Sequence, residues 1–126
     1  MIKSTRSEKM ERKELTKQHC VPCSGEEPPV SKEEMDELMP TVPEWEVIEK
    51  NGAPRLKRTF EFTNFQEALD FTNKIGAVAE AEGHHPVITL TWGKATVEWY
   101  THAISNIHKN DFIMAANTDE IYEEME

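Results

Sequence analysis

Three of the five histidines in this chain, His84, His85 and His102, stand close together in its second half. An imidazole ordinarily titrates near pH ~6.5, so a group of them can give and take protons at neutral pH. The same side chains also suit a metal ion, or purely structural hydrogen bonds, and all three readings stay open on spacing alone. The surrounding residues are Glu80-Ala81-Glu82-Gly83-His84-His85-Pro86, followed by Trp92, His102 and Asp111. Glu80 and Asp111 are carboxylates able to approach the histidines in space, although neither stands at an obvious metal-ligand spacing. His19 and His108 read as surface or hydrogen-bonded residues, with His108 a further candidate for the same pocket.

A second cluster is His19-Cys20-Val21-Pro22-Cys23, which holds both cysteines of the chain. A closed zinc site needs four ligands and this cluster offers three, while its Pro-rich flanks do not suit a redox Cys-x-x-Cys at a helix start. The expectation is a pair of reduced thiols in a linker, in a reducing compartment.

The elements that must position these residues follow from local signals. Ser31-Lys32-Glu33-Glu34 reads as a capping box opening a short helix through Leu38, stopped by Pro40. Strands over 45–50 and 55–62 flank Asn51-Gly52, a two-residue hairpin signal that sets Val47 opposite Leu56. Thr63 or Asn64 caps a helix to Glu82, with Phe65, Ala68, Leu69, Ile75, Val78 and Ala79 as its apolar stripe and Gly83 as a left-handed stop. A second hairpin is expected over 87–92 and 95–102, turning at Gly93-Lys94 as type II′ and placing His85 opposite His102. A last helix covers 109–124, with Phe112, Ile113, Met114 and Ala116 for packing. The fold class is therefore α+β: a single domain of α-β-β-α-β-β-α order, a four-stranded antiparallel sheet with helices packed on one face.

Taken together, Glu80, His84-His85-Pro86, Trp92, His102 and Asp111 resemble the signature of the pterin-4a-carbinolamine dehydratase family, and every spacing fits. The resemblance extends over about residues 31 to 122. It implies dehydration of a 4a-hydroxytetrahydropterin to a quinonoid dihydropterin, with no metal and no cofactor, the pterin being the substrate. It also implies catalytic roles for His84, His85, His102 and Asp111. His84 and His102 would be the proton-transfer pair, and Asp111 would orient His102. Substrate contacts fall to His85, Pro86, Trp92 and Glu80, with Trp92 expected mainly in the core. Further implications are a homodimer or homotetramer and a functional link to an aromatic amino-acid hydroxylase. One departure is the segment His108-Lys109-Asn110 ahead of Asp111, where relatives commonly offer Ser or Thr as helix cap. His108 is expected to cap poorly, which leaves the placement of Asp111 open.

Composition bounds the class. The chain has 126 residues and a formal charge of −10. Residues 1–17 carry +3 and the remainder −13, and all ten aromatic residues lie between Trp45 and Tyr122. Residues 1–30 are thus expected as a polar, flexible leader and 31–126 as the folded domain. The negative balance argues against nucleic acid, and no apolar run is long enough to span a bilayer. The start lacks an apolar signal region, so a cytoplasmic protein is expected. The alternatives are a non-catalytic dimerisation or coactivator protein on the same fold, and a His/Cys metal-binding protein.

Overall fold

At Asn51-Gly52 the backbone takes φ of 55° and 79°, the two positive values that a type I′ hairpin requires. The turn joins β1 (Glu46–Lys50) to β2 (Ala53–Glu61) and pairs Val47 with Leu56, as expected. This structure is a computed structural model, and it describes residues 11–22 and 25–125. Cys23, half of the expected Cys-x-x-Cys pair, and residues 1–10 lie outside the described residues.

The second hairpin departs from expectation. β3 (Val87–Thr91) and β4 (Lys94–Trp99) pair with Val87 opposite Glu98 and Thr91 opposite Lys94, so the turn is Trp92-Gly93. Neither Trp92 nor Gly93 has a positive φ, which excludes the type II′ geometry that Gly93 suggested. Gly93 serves a different purpose. Its carbonyl accepts the Phe62 N–H at 2.8 Å, and a Cβ added to it would meet the Phe62 carbonyl at 3.2 Å. A close backbone approach, not a left-handed turn, accounts for the glycine. The observed register would set residue 100 opposite His85; β4 ends at Trp99, and His102 falls in a 3-10 turn (His102–Ile104).

The sheet order is β1-β2-β4-β3, all antiparallel. On its covered face Leu56 and Phe60 of β2, with Ala95, Val97 and Trp99 of β4, are buried. Two long helices lie against them, α3 (Phe65–Glu82) and α4 (Lys109–Glu124). Asn64 caps α3 by accepting the Glu67 N–H at 2.9 Å, and Gly83 ends it at φ 66°. Phe71 belongs at the centre of the core, with rings of Phe60, Phe62 and Tyr122 around it at 4.7 to 5.9 Å. It was absent from the predicted apolar stripe, whereas Phe65, which was in it, is exposed. The short α2 (Lys32–Leu38) starts at the Ser31-Glu34 capping box as read from sequence.

The leader is in part a folded element. Residues Arg12–Thr16 form a helical turn, α1, packed along α4. Leu15 is fully buried in the main core, and Arg12 makes a two-pronged bond to Glu123 at 2.6 and 2.8 Å. Polar composition hid this element, because a single leucine on a one-turn helix leaves no periodic signal. Among the described residues no helix is long and apolar enough to cross a membrane.

Candidate active site

Five segments meet at the end of the sheet where β4 finishes. The first is the left-handed exit of α3 at Gly83, which delivers His84 and His85. Pro86 then sets the entry to β3, with its ring fixing φ ahead of Val87. The third is the stretch after Trp99, where Thr101 and Asn106 pair through backbone bonds and close the loop that carries His102. The N-terminus of α4 and residues 20–22 of the leader complete the group. Between them lies a cavity of about 570 Å³, bounded by Cys20, Val21, Pro22, Glu82, Gly83, His84, His85, Thr101, His102, Ala103 and Asn110. A second cavity, about 390 Å³ between Glu61, Phe62, Glu67 and Tyr122, contains no histidine.

His84 is the most constrained of the three. Its ring stacks on Trp99 at 5.7 Å between centroids, with only 7° between planes. Its Nε2 bonds Asp111 Oδ1 at 2.6 Å, and Asp111 is fully buried. The other carboxylate oxygen of Asp111 accepts the Thr101 hydroxyl at 2.8 Å and the His108 N–H at 2.8 Å. A carboxylate only accepts, so against Asp111⁻ the His84 proton sits on Nε2, and Nδ1 is left as the nitrogen for proton exchange.

Asp111 therefore orients His84, not His102 as expected from the sequence. The reason lies in the second hairpin: with β4 ending at Trp99, the chain turns away before His102 can face the helix start. His108 also differs from expectation. Its Nδ1 accepts the Asn110 N–H at 3.0 Å, so the imidazole works as the N-cap of α4 while Asp111 bonds back to the His108 amide. This reciprocal arrangement is a capping box with histidine in place of Ser or Thr, and it places Asp111 firmly.

His85 and His102 are looser. His85 Nε2 bonds Glu80 Oε1 at 2.9 Å, with both side chains largely exposed. Glu80, expected as a substrate contact, makes this hydrogen bond from the last turn of α3 and lies outside the cavity wall. His102 packs on Tyr100 at 4.3 Å between ring centroids, and the guanidinium of Arg55 lies over the other partner of that pair, 4.0 Å from the Tyr100 centroid. Trp92 is not brought to the site. It is 69% exposed at the tip of the second hairpin, at the opposite end of β3 from the histidines. Five strand residues separate those ends, roughly 17 Å. It belongs to neither the core nor this cavity wall. Among the described residues no three His, Cys, Asp or Glu side chains are grouped as a metal site requires.

Sequence reasoning missed Thr101, Trp99, Glu82 and Asn110. Glu82 accepts the Cys20 N–H at 2.8 Å and bonds His19 Nδ1 at 2.8 Å, and these two bonds, the His19 one foremost, hold its carboxyl below the usual range. Position alone offered one clue: Glu82 and Asn110 each lie within two residues of a site side chain.

The model of the family described as pterin 4 alpha carbinolamine dehydratase matches residues 28–121. The chain belongs to that family. Its enzyme class is accordingly that of a dehydratase, a hydro-lyase. A Marinobacter nauticus relative, provisionally named a pterin-4-alpha-carbinolamine dehydratase, is 54% identical over 108 residues, covering 86% of this chain and 97% of its own. A Chlorobaculum tepidum relative with the same provisional name is 49% identical, covering 86% and 97%. Among solved structures, a Brucella melitensis protein titled transcriptional coactivator/pterin dehydratase superposes with a TM-score of 0.67 over 75% of this chain and 98% of that one, at 24% identity. That likeness speaks for the dehydratase fold.

Proposed function

We propose that this hydro-lyase dehydrates a 4a-hydroxytetrahydropterin to the quinonoid dihydropterin, with His84 and His102 as the proton-transfer residues. Hydroxide is a poor leaving group, so a proton must reach the 4a oxygen as the carbon–oxygen bond breaks. A ring N–H proton leaves as the quinonoid system forms, and the products are the dihydropterin and water. The step moves protons and no net electrons, so the residues supply all that it needs. General acid/base help of this kind is worth about 10²- to 10⁴-fold.

The observation that carries the reading is His84, held from behind by the buried Asp111, in the wall of a cavity that His85 and His102 also line. His84, held by Asp111 and Trp99, is the proton carrier of fixed orientation. His102 takes the second transfer from another wall, and His85 serves as a substrate contact. The volume of about 570 Å³ lies in the range of small-molecule sites, ~300 to 1,000 Å³. The supply of substrate by an aromatic amino-acid hydroxylase, cytoplasmic placement and a homo-oligomeric state belong to the same reading. Exposed Val47, in the edge strand β1, and Trp92, just past the edge strand β3, support the last of these, and light scattering on the purified chain tests it.

The decisive assay uses freshly generated 4a-hydroxytetrahydropterin. Wild-type protein is expected to dehydrate it well above the spontaneous rate, and His84→Ala and His102→Ala each to lower that rate at least about tenfold with the fold retained. Wild-type-like turnover in both variants would refute the roles assigned. One equivalent of bound zinc per chain, with activity lost to a chelator, would overturn a metal-free mechanism.

A further inference from the structure

Residues 20–22 line one side of the histidine cavity and are tied down more firmly than a linker requires. The Asn110 side chain, 2% exposed, accepts the Val21 N–H at 3.1 Å and donates to the Val21 carbonyl at 2.8 Å. Both backbone groups of one residue are thus held by one amide, as a neighbouring strand would hold them. Glu82 fixes the preceding residue through the Cys20 N–H and also bonds His19. The two clamps sit beside the catalytic support: Asn110 adjoins Asp111, and Glu82 lies two residues before His84. The strap is therefore registered to the same helix ends that orient the proton carrier. Cys20, Val21 and Pro22 all face the cavity, and Val21 is 55% exposed, an apolar side chain left uncovered beside a site.

We propose that the strap is a wall of the substrate site: Val21 and Pro22 supply an apolar surface against the flat pterin ring, and Asn110 and Glu82 are positioning residues that hold it there. This rests on the dehydratase reading and adds a specificity element to it. Binding of a flat heteroaromatic would cover Val21, and a rigid strap makes that contact without ordering a loop first. An apolar wall donates and accepts no proton, so its loss weakens binding and leaves the chemical step alone.

The test measures steady-state dehydration alongside fluorescence titration with biopterin, a stable pterin that does not react. Val21→Asp, at a surface position outside the core, is expected to raise KM and the biopterin Kd about tenfold with kcat within about twofold. Asn110→Ala is expected to give the same split and to abolish hydrogen-exchange protection of the Val21 amide, while the His84 ring signals in NMR stay in place. An unchanged KM and Kd in Val21→Asp with an active wild type would overturn the strap alone. Loss of kcat without a change in KM in Asn110→Ala would show a structural fault passed to Asp111, and would overturn the positioning role. A wild type that neither dehydrates the substrate nor binds biopterin would overturn the dehydratase reading, and the strap's role with it.

Discussion

Asp111 is the residue on which the site turns. Its two oxygens take three partners, His84, Thr101 and the His108 amide, in a fully buried setting. Removing it leaves three polar groups without their acceptor, of which the Thr101 hydroxyl is buried and the His84 ring and His108 amide are part-buried. Asp111→Ala is expected to cost about 3 kcal/mol or more in urea unfolding, because three hydrogen bonds to one carboxylate are lost together, each worth roughly 1.5–3 kcal/mol. The milder Thr101→Val deletes a single donor and should cost about 1–3 kcal/mol. If the His84 ring signals shift in Asp111→Ala and in Thr101→Val alike, the hydroxyl reaches His84 through the carboxylate. The pairing itself was not legible in the sequence. Asp111 and the histidines were found as a set by their spacing, but which histidine the carboxylate meets depends on where β4 ends.

At the scale of elements, the site hangs from two helix ends. Gly83 holds φ at 66°, and a Cβ built there would touch nothing within 4 Å. Gly83→Ala therefore isolates the conformational cost, about 1–2 kcal/mol for a left-handed L-residue, readable in thermal unfolding. The strap provides a pH-dependent element. Glu82 has its carboxyl lowered in the folded chain by His19 and by the Cys20 N–H, from an ordinary value of 4.5. A lowered folded value means the clamp is fully stabilising above pH 4.5 and is lost as pH falls through that lowered value. Protection factors of the Cys20 amide should accordingly collapse in acid below that window. In Glu82→Gln they should be weak at every pH, and a wild-type profile in that variant would remove Glu82 from the clamp.

Across the whole molecule, the question is where the folded unit begins. Leu15 lies in the same core as Phe112 and Trp99, and α1 packs along α4. Leu15→Ala is expected to destabilise the protein by about 2–5 kcal/mol, as for a core leucine, and a flexible leader would show no change in the same melt. The Arg12–Glu123 bond is partly exposed and contributes little beside it, a small effect that Arg12→Ala should confirm.

Local chemistry decided much of this protein in advance. The Ser31 and Asn64 caps, the positive-φ turn at Asn51-Gly52 and the stop at Gly83 each depend on residues a few positions apart, so the chain alone determined the α+β order and the segment bearing His84, His85 and His102. Tertiary structure decided what depends on distant partners. The Phe62 N–H bonds the Gly93 carbonyl, the second hairpin turns at Trp92-Gly93, His102 lies beyond the end of β4, and Asp111 meets His84. Cys20 finds Glu82, 62 residues on, Val21 finds Asn110, 89 residues on, and Leu15 packs into the core beside α4. No window of neighbouring residues encodes such contacts, because their energy comes from burial and hydrogen bonding that exist only once the helices have docked on the sheet.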